Sequence, residues 1–150
     1  MKKAFLILFL ILAISTVFSF ELNGGILYSF SNQMFYAFEF NTFGVRQNAP
    51  NTTSGISVMF ISDFSQLYLG MIGGTAKYDI KLSIGTISLY GTGGMIVPIN
   101  NFGFENITSI ARVGAKYYFG NLLLNTGIYS LYLIDSTKYE GIEFSVGYTF

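Results

Sequence analysis

The last residues of the chain, Tyr139-Glu140-Gly141-Ile142-Glu143-Phe144-Ser145-Val146-Gly147-Tyr148-Thr149-Phe150, alternate without a slip. In an extended chain successive side chains point to opposite faces. Ile142, Phe144, Val146, Tyr148 and Phe150 therefore share one face, and Glu143, Ser145, Gly147 and Thr149 share the other. This period of two is the signature of a strand with one apolar face, and the three-and-four spacing of an amphipathic helix is absent.

Working back from this segment, the same rhythm recurs. Leu122 to Tyr132 sets Leu124, Ile128 and Tyr132 outward, with Leu123, Tyr129 and Leu131 on the other face. Before it, Ala111, Val113, Ala115, Tyr117 and Phe119 oppose Arg112, Gly114, Lys116 and Tyr118. From Ser83 to Val97, Ile87, Leu89, Met95 and Val97 oppose Thr86, Ser88, Tyr90, Thr92 and Gly94. Leu67, Leu69 and Met71 form the apolar face of an earlier strand, against Tyr68, Gly70, Ile72 and Gly74. Ile56, Val58 and Phe60 mark another. Met34 to Phe43 sets Met34, Tyr36, Phe38 and Phe40 against Phe35, Ala37, Glu39 and Asn41. Glu21 to Ser31 sets Leu22, Ile26, Tyr28 and Phe30 against Asn23, Leu27 and Ser29. Turn formers separate these runs at Ser31–Gln33, Asn48–Gly55, Ser62–Gln66, Lys77–Lys81, Pro98–Ile107, Gly120-Asn121 and Asp135–Lys138. The pattern predicts an all-β meander of eight strands; the long Ser83–Val97 run could hide a bend at its glycines, and a count of ten stays open.

Which face meets water is decided by composition. The chain has 150 residues, 51% of them hydrophobic and 18% aromatic, but only 11% charged, against roughly a quarter in soluble domains. A soluble sheet keeps lysine and glutamate on its outer face. Here the second face is mostly Gly, Ser, Thr, Asn, Ala and Tyr, which suit the inside of a narrow barrel while the bulky apolar face meets lipid. Backbone groups cannot go unpaired in hydrocarbon, so such a sheet must close on itself. A ten-residue strand rising ~3.3 Å per residue and tilted ~45° spans about 23 Å, near the ~25 Å apolar band of transmembrane barrels. The alternative is an exported soluble barrel of the lipocalin kind that carries a hydrophobic ligand inside.

The start of the chain reads as an export leader. Lys2 and Lys3 precede an apolar run from Ala4 to Ile14, and Val17-Phe18-Ser19 supplies a cleavage site. We expect removal of residues 1–19, with a cut after Ser15 or an uncleaved helical anchor as alternatives, and one barrel domain over 20–150. Eight basic residues less Lys2 and Lys3, against eight acidic ones, leave that domain at −2, with no electrostatic basis for binding nucleic acid.

A terminal phenylalanine behind the alternation of Ile142, Phe144, Val146 and Tyr148 resembles the C-terminal assembly signal of bacterial outer-membrane β-barrel proteins. With the leader and the strand pattern, the whole chain resembles the small eight-stranded OmpA/OmpX type. The resemblance implies a place in the bacterial outer membrane, lipid around the barrel, and the outer-membrane barrel assembly machinery as a partner. It also implies short periplasmic turns and long surface loops. The sequence departs from that: its first surface loop is only Ser31 to Gln33, and its long Gly44–Gly55 connection falls on the periplasmic side unless the strands extend toward Asn48 and Pro50.

Chemistry is bounded by what is missing. Without cysteine there is no disulfide, thiolate nucleophile or cysteine-held metal. Without histidine the commonest general base and metal ligand are gone, as is the residue on which acyl-cleaving outer-membrane barrel enzymes typically rely. No phosphate loop, metal-ligand cluster or basic-aromatic face appears, so we expect no cofactor, no metal and no nucleic acid. Asn51-Thr52-Thr53 and Asn106-Ile107-Thr108 match the glycosylation pattern as short polar turns do by chance, and Met34, Met59, Met71 and Met95 read as packing residues. The charges within the strand cores, Glu39, Arg112, Lys116 and Glu143, all fall on the inward parity. Glu39 and Glu143 could form an acid/base pair, but two cations beside them favour an interior ion-pair cluster in which Arg112 bridges at least one of the two; Glu21 and Glu140, at strand ends, are left out. The reading is a non-enzymatic barrel with a filled interior, serving envelope structure, surface interaction or narrow, porin-like permeation, with no specific ligand assigned.

Overall fold

A computed structural model describes residues 18–45, 51–100, 103–133 and 135–150. It contains eight strands: β1 (Phe18–Ser29), β2 (Met34–Val45), β3 (Thr52–Ser62), β4 (Tyr68–Leu82), β5 (Gly85–Pro98), β6 (Thr108–Phe119), β7 (Leu122–Tyr132) and β8 (Lys138–Thr149). A 3-10 turn, Phe104–Asn106, precedes β6. Each strand pairs antiparallel with its neighbours in sequence, and β8 returns to β1, closing the barrel. The expected leader, residues 1–19, lies outside the described residues but for Phe18 and Ser19, which pair with Gly44 and Phe43. Of the turn expected at Asn48–Gly55, residues 48–50 also lie outside them, and Thr52 to Gly55 are strand, since the start of β3 pairs there with both β2 and β4.

Closure is made by the two segments with the most regular alternation. Leu22, Ile26 and Tyr28 of β1 stand beside Tyr148, Phe144 and Ile142 of β8 on the outer face, while Asn23, Gly25 and Leu27 stand beside Gly147, Ser145 and Glu143 on the inner one. A one-residue slip would send Glu143 outward, so register is fixed by the alternation itself. The backbone N–H of Phe150 donates to the carbonyl of Phe20 at 2.9 Å and extends the seam by one rung.

The two ends of the barrel differ. At the end that holds Phe18 and Phe150, here the base, β4 and β5 are joined by Ser83 and Ile84 alone, and β6 and β7 by Gly120 and Asn121. Gly120 sits at φ 59°, the left-handed conformation that a two-residue hairpin asks of its first residue and that glycine adopts without strain. The other end, the rim, carries the connections 30–33, 63–67, 99–107 and 133–137. Aromatic side chains mark both ends of the outer surface. Tyr36 and Phe64 meet near the rim with ring centroids 4.7 Å apart, and Tyr148 and Phe150 meet at the base at 5.0 Å. Between them the outward face is apolar, with Ile56, Val113, Ile128, Phe144 and Val146 all exposed. Such a continuous belt belongs in lipid.

One strand face is the reverse of the expectation. Leu69 and Met71 point into the lumen, 0% and 2% exposed, and Ile72 points out at 55%. The expected turn at Lys77–Lys81 is strand, since β4 runs on to Leu82 with Tyr78, Ile80 and Leu82 outward. The cause is physical. The lumen near the rim is itself apolar, so bulky apolar side chains do not mark the lipid face there, and the small outward residues Gly74 and Ala76 interrupt the bulky alternation within the strand. β5 is one unbroken strand, which settles the count at eight.

Candidate functional site in the barrel lumen

The inward residues form layers with a common order, from which Phe43 and Leu123, nearest the base on β2 and β7, and Ser29, nearest the rim on β1, depart. Going from rim to base, Leu27 precedes Glu21 on β1, Phe35 precedes Glu39 on β2, and Met59 and Ile61 precede Ser57 on β3. Leu69 and Met71 precede Thr75 and Lys77 on β4, and Ile96 precedes Thr92 on β5. Ile110 precedes Arg112 on β6, and Tyr129 and Leu131 precede Asn125 on β7. On β8 the half-buried Tyr139 precedes Glu143. The apolar members form one cluster that fills the rim half of the lumen.

Below it lies the first ionic layer. Arg112 donates from Nε to Glu143 Oε2 at 2.6 Å, and from its two terminal nitrogens to both oxygens of Glu39. Ser57 Oγ donates to Glu39 Oε1 at 2.8 Å, and Asn23 Nδ2 donates to Glu39 Oε2 at 3.3 Å. Asn125 Nδ2 reaches Glu143 Oε1 at 3.4 Å and Ser145 Oγ at 3.1 Å. The guanidinium thus answers two carboxylates at once, the geometry at which arginine is better than lysine. The Tyr90 ring fits beneath Arg112, 5.9 Å from its guanidinium carbon. It fits because Gly114 and Gly127 face it: a Cβ on either would meet the ring at 2.9 Å or its hydroxyl at 2.7 Å.

A second ionic layer lies nearer the base. Lys116 Nζ donates to Glu21 Oε2 at 2.6 Å, and Lys77 Nζ donates to Glu21 Oε1 at 2.7 Å. Tyr118 OH also donates to Glu21 Oε1 and accepts from Lys77 Nζ at 3.0 Å. The Phe43 ring supports both ammonium groups, 4.2 Å from Lys77 and 5.5 Å from Lys116. Cations buried against ring faces gain more than exposed ones do. Glu21, Glu39 and Glu143 against Lys77, Arg112 and Lys116 leave the two layers neutral together. A cavity of about 280 Å³ opens below Glu21, lined by Lys77, Asp79, Ser88 and Tyr118 among others.

Of the expected cluster, then, the structure brings together Glu39, Arg112 and Glu143 and places Lys116 one layer lower. The alternation turns Tyr118 inward without joining it to the charges, and it leaves out Glu21 and Lys77. Glu21 reads as a strand end, yet β1 begins three residues earlier, at Phe18. Lys77 falls in the expected Lys77–Lys81 turn, although the Tyr78, Ile80, Leu82 alternation carried back one residue turns it inward. Both carboxylates of the conceivable acid/base pair are held by the same arginine. The outward terminal residues Ile142, Phe144, Val146, Tyr148 and Phe150 are all exposed on the outer face.

No family model matches the chain, and no curated protein matches it. Solved structures do. The chain resembles the Neisserial surface protein A, NspA, at 13% identity and a TM-score of 0.58, covering 88% of this chain and 94% of that one. It resembles the N-terminal β-barrel domain of Pseudomonas aeruginosa OprF at 16% identity and a TM-score of 0.55, covering 88% and 97%. A de novo designed transmembrane β-barrel matches at 14% identity and a TM-score of 0.55, covering 88% and 95%. The fold is that of the small eight-stranded transmembrane β-barrels. At these identities the likeness is one of architecture, and a designed barrel among the neighbours underlines that the closed sheet alone accounts for it.

Proposed function

We propose that this protein is an integral barrel of the bacterial outer membrane, non-enzymatic, with a closed lumen, serving envelope structure, surface interaction or at most narrow permeation. The observation that carries the reading is the pairing of an apolar outer belt with a lumen filled by side chains and neutral in its charge. In this reading residues 1–19 are removed on export, residues 20–150 form the barrel, and the assembly machinery reads the terminal Ile142, Phe144, Val146, Tyr148 and Phe150. Both strand ends at the base then face the periplasm, and the four rim loops form the surface available to partners outside the cell. Fractionation tests the placement: the protein should leave envelopes only with detergent and run faster on a gel unheated than boiled. Release by salt or alkali without detergent would defeat it. Planar-bilayer recording of the wild-type barrel tests the closed lumen, with silence expected and steady conductance steps against it.

A further inference from the structure

We infer that the barrier to solutes in this barrel is the apolar layer of its rim half and not the ion pairs, so that the lumen is a blind vestibule wetted from the base. The inference rests on the closed-lumen reading and adds which layer closes it. Three observations converge. The cavity at the base is polar, bounded by Glu21, Lys77, Asp79, Ser88 and Tyr118. Above it, Thr53 Oγ1, both side-chain atoms of Asn41, Asn23 Oδ1, Asn125 Oδ1 and Tyr90 OH are buried with no protein partner. These all face inward, and all lie baseward of the apolar layer. Of the other such atoms, Ser130 Oγ lies on the outward parity, Thr108 Oγ1 lies rimward of Ile110, and Tyr129 OH belongs to the layer itself. Buried polar atoms without protein partners are the places where ordered water sits. A void of about 10 Å³ beside Arg112, bordered by Asn23, Glu39 and Glu143, is about the room one water needs.

The layers oppose an ion differently. At the ionic layers a permeant ion or water meets carboxylates, amides and a guanidinium, which replace the hydration it gives up. At Ile96, Ile110, Leu131 and their neighbours it meets apolar side chains and the single hydroxyl of Tyr129, and an apolar constriction of that kind excludes water and with it every hydrated ion. Neutralising the ion pairs therefore leaves the barrier in place, whereas making the apolar layer polar removes it.

The test has two arms. In planar bilayers, the charge-matched variant Arg112→Met with Glu39→Gln and Glu143→Gln is expected to be as silent as wild type. The variant Ile96→Ser with Ile110→Ser and Leu131→Ser is expected to conduct. Conductance in the first variant, or silence in the second when its heat-dependent gel shift shows it folded, overturns the inference. Conductance by wild type would instead defeat the closed-lumen reading, and the two failures are thus distinct. The second arm does not depend on the triple variants folding. The chain has no cysteine, so Thr86→Cys, which lines the base cavity, is a unique thiol. In oriented proteoliposomes a charged, impermeant methanethiosulfonate should modify it from the base side, with complete loss of reaction when the reagent is confined to the rim side. Rim-side reaction would, like conductance by wild type, defeat the closed-lumen reading, and no base-side reaction overturns the inference.

Discussion

The rim half and the base half of the lumen fill the same narrow space by opposite means. Toward the rim, Leu27, Phe35, Ile61, Leu69, Ile96, Ile110 and Leu131 exclude water by contact. Toward the base, Glu21, Glu39 and Glu143 are answered by Lys77, Lys116 and Arg112. An apolar layer degrades gradually, because each truncated side chain costs its own burial and the cavity it leaves. The upper ionic layer is closer to all-or-none, because losing Arg112 strands two buried carboxylates at once. The difference sets how each half responds to mutation.

The largest effect is expected from Arg112→Met, which strands two carboxylates. It should cost ~3–5 kcal/mol in urea unfolding in detergent, with most of the loss recovered when Glu39→Gln and Glu143→Gln are added. Additive losses across that cycle would put the layers on an equal footing and break the comparison. Next, Ile110→Ala should cost ~2–4 kcal/mol by the same measurement, with no rescue from changes in the ionic layers. Val146→Arg, on the outer face, should cost about as much, ~2–4 kcal/mol near mid-depth and less toward the interface, and should lower the yield of folded barrel in the outer membrane. Deleting Phe150 should lower that yield too. Lys77→Met should cost less than Arg112→Met, ~1–3 kcal/mol, since Glu21 keeps Lys116 and Tyr118 as donors.

The smallest effect lies outside the lumen, in the rim loop between β3 and β4. Partial burial raises the Asp63 carboxyl, but the N–H groups of Ser65, Leu67 and Gln66, at 2.9 to 3.0 Å, and the Ser65 hydroxyl outweigh this and hold it at about 2. A carboxyl held below its ordinary value of about 3.9 contributes fully above that value and loses the contribution as pH falls toward about 2. Hydrogen exchange at the Ser65, Gln66 and Leu67 amides should therefore quicken relative to the barrel strands over that acidic window, and the acceleration should vanish in Asp63→Asn. The lumen layers should be unmoved by it.

The fold was legible because period two and closure follow from side-chain direction, which the residues of β8 state openly. The faces were legible where bulky apolar residues meet lipid and small polar ones fill the lumen, as at Phe38 and Glu39 or Val113 and Arg112. The rule failed at Leu69 and Met71, because the rim half of the lumen is as apolar as the lipid and hydrophobicity no longer tells inside from outside. Lys77 was lost with that strand. The pairing of Lys116 with Glu21 had a different cause: barrel strands are tilted and staggered, so which inward charges meet across the lumen depends on the shear of the closed sheet. No local pattern in the sequence states that quantity.

The seam between β1 and β8 also imposes an order in time. It joins Glu21 to Thr149 and Ser29 to Gly141, positions more than a hundred residues apart in the sequence. Until the final segment has been made, β1 and β7 are open edges with unpaired backbone groups, which hydrocarbon does not tolerate. An incomplete chain is thus an aggregation hazard with no stable place in a bilayer, and the long-range closing step is the slow kind that contact order predicts. Because Glu143 arrives on β8 and takes the Nε of Arg112, the same event that zips the sheet also completes the arginine's second pairing, so partial products hold Arg112 by Glu39 alone.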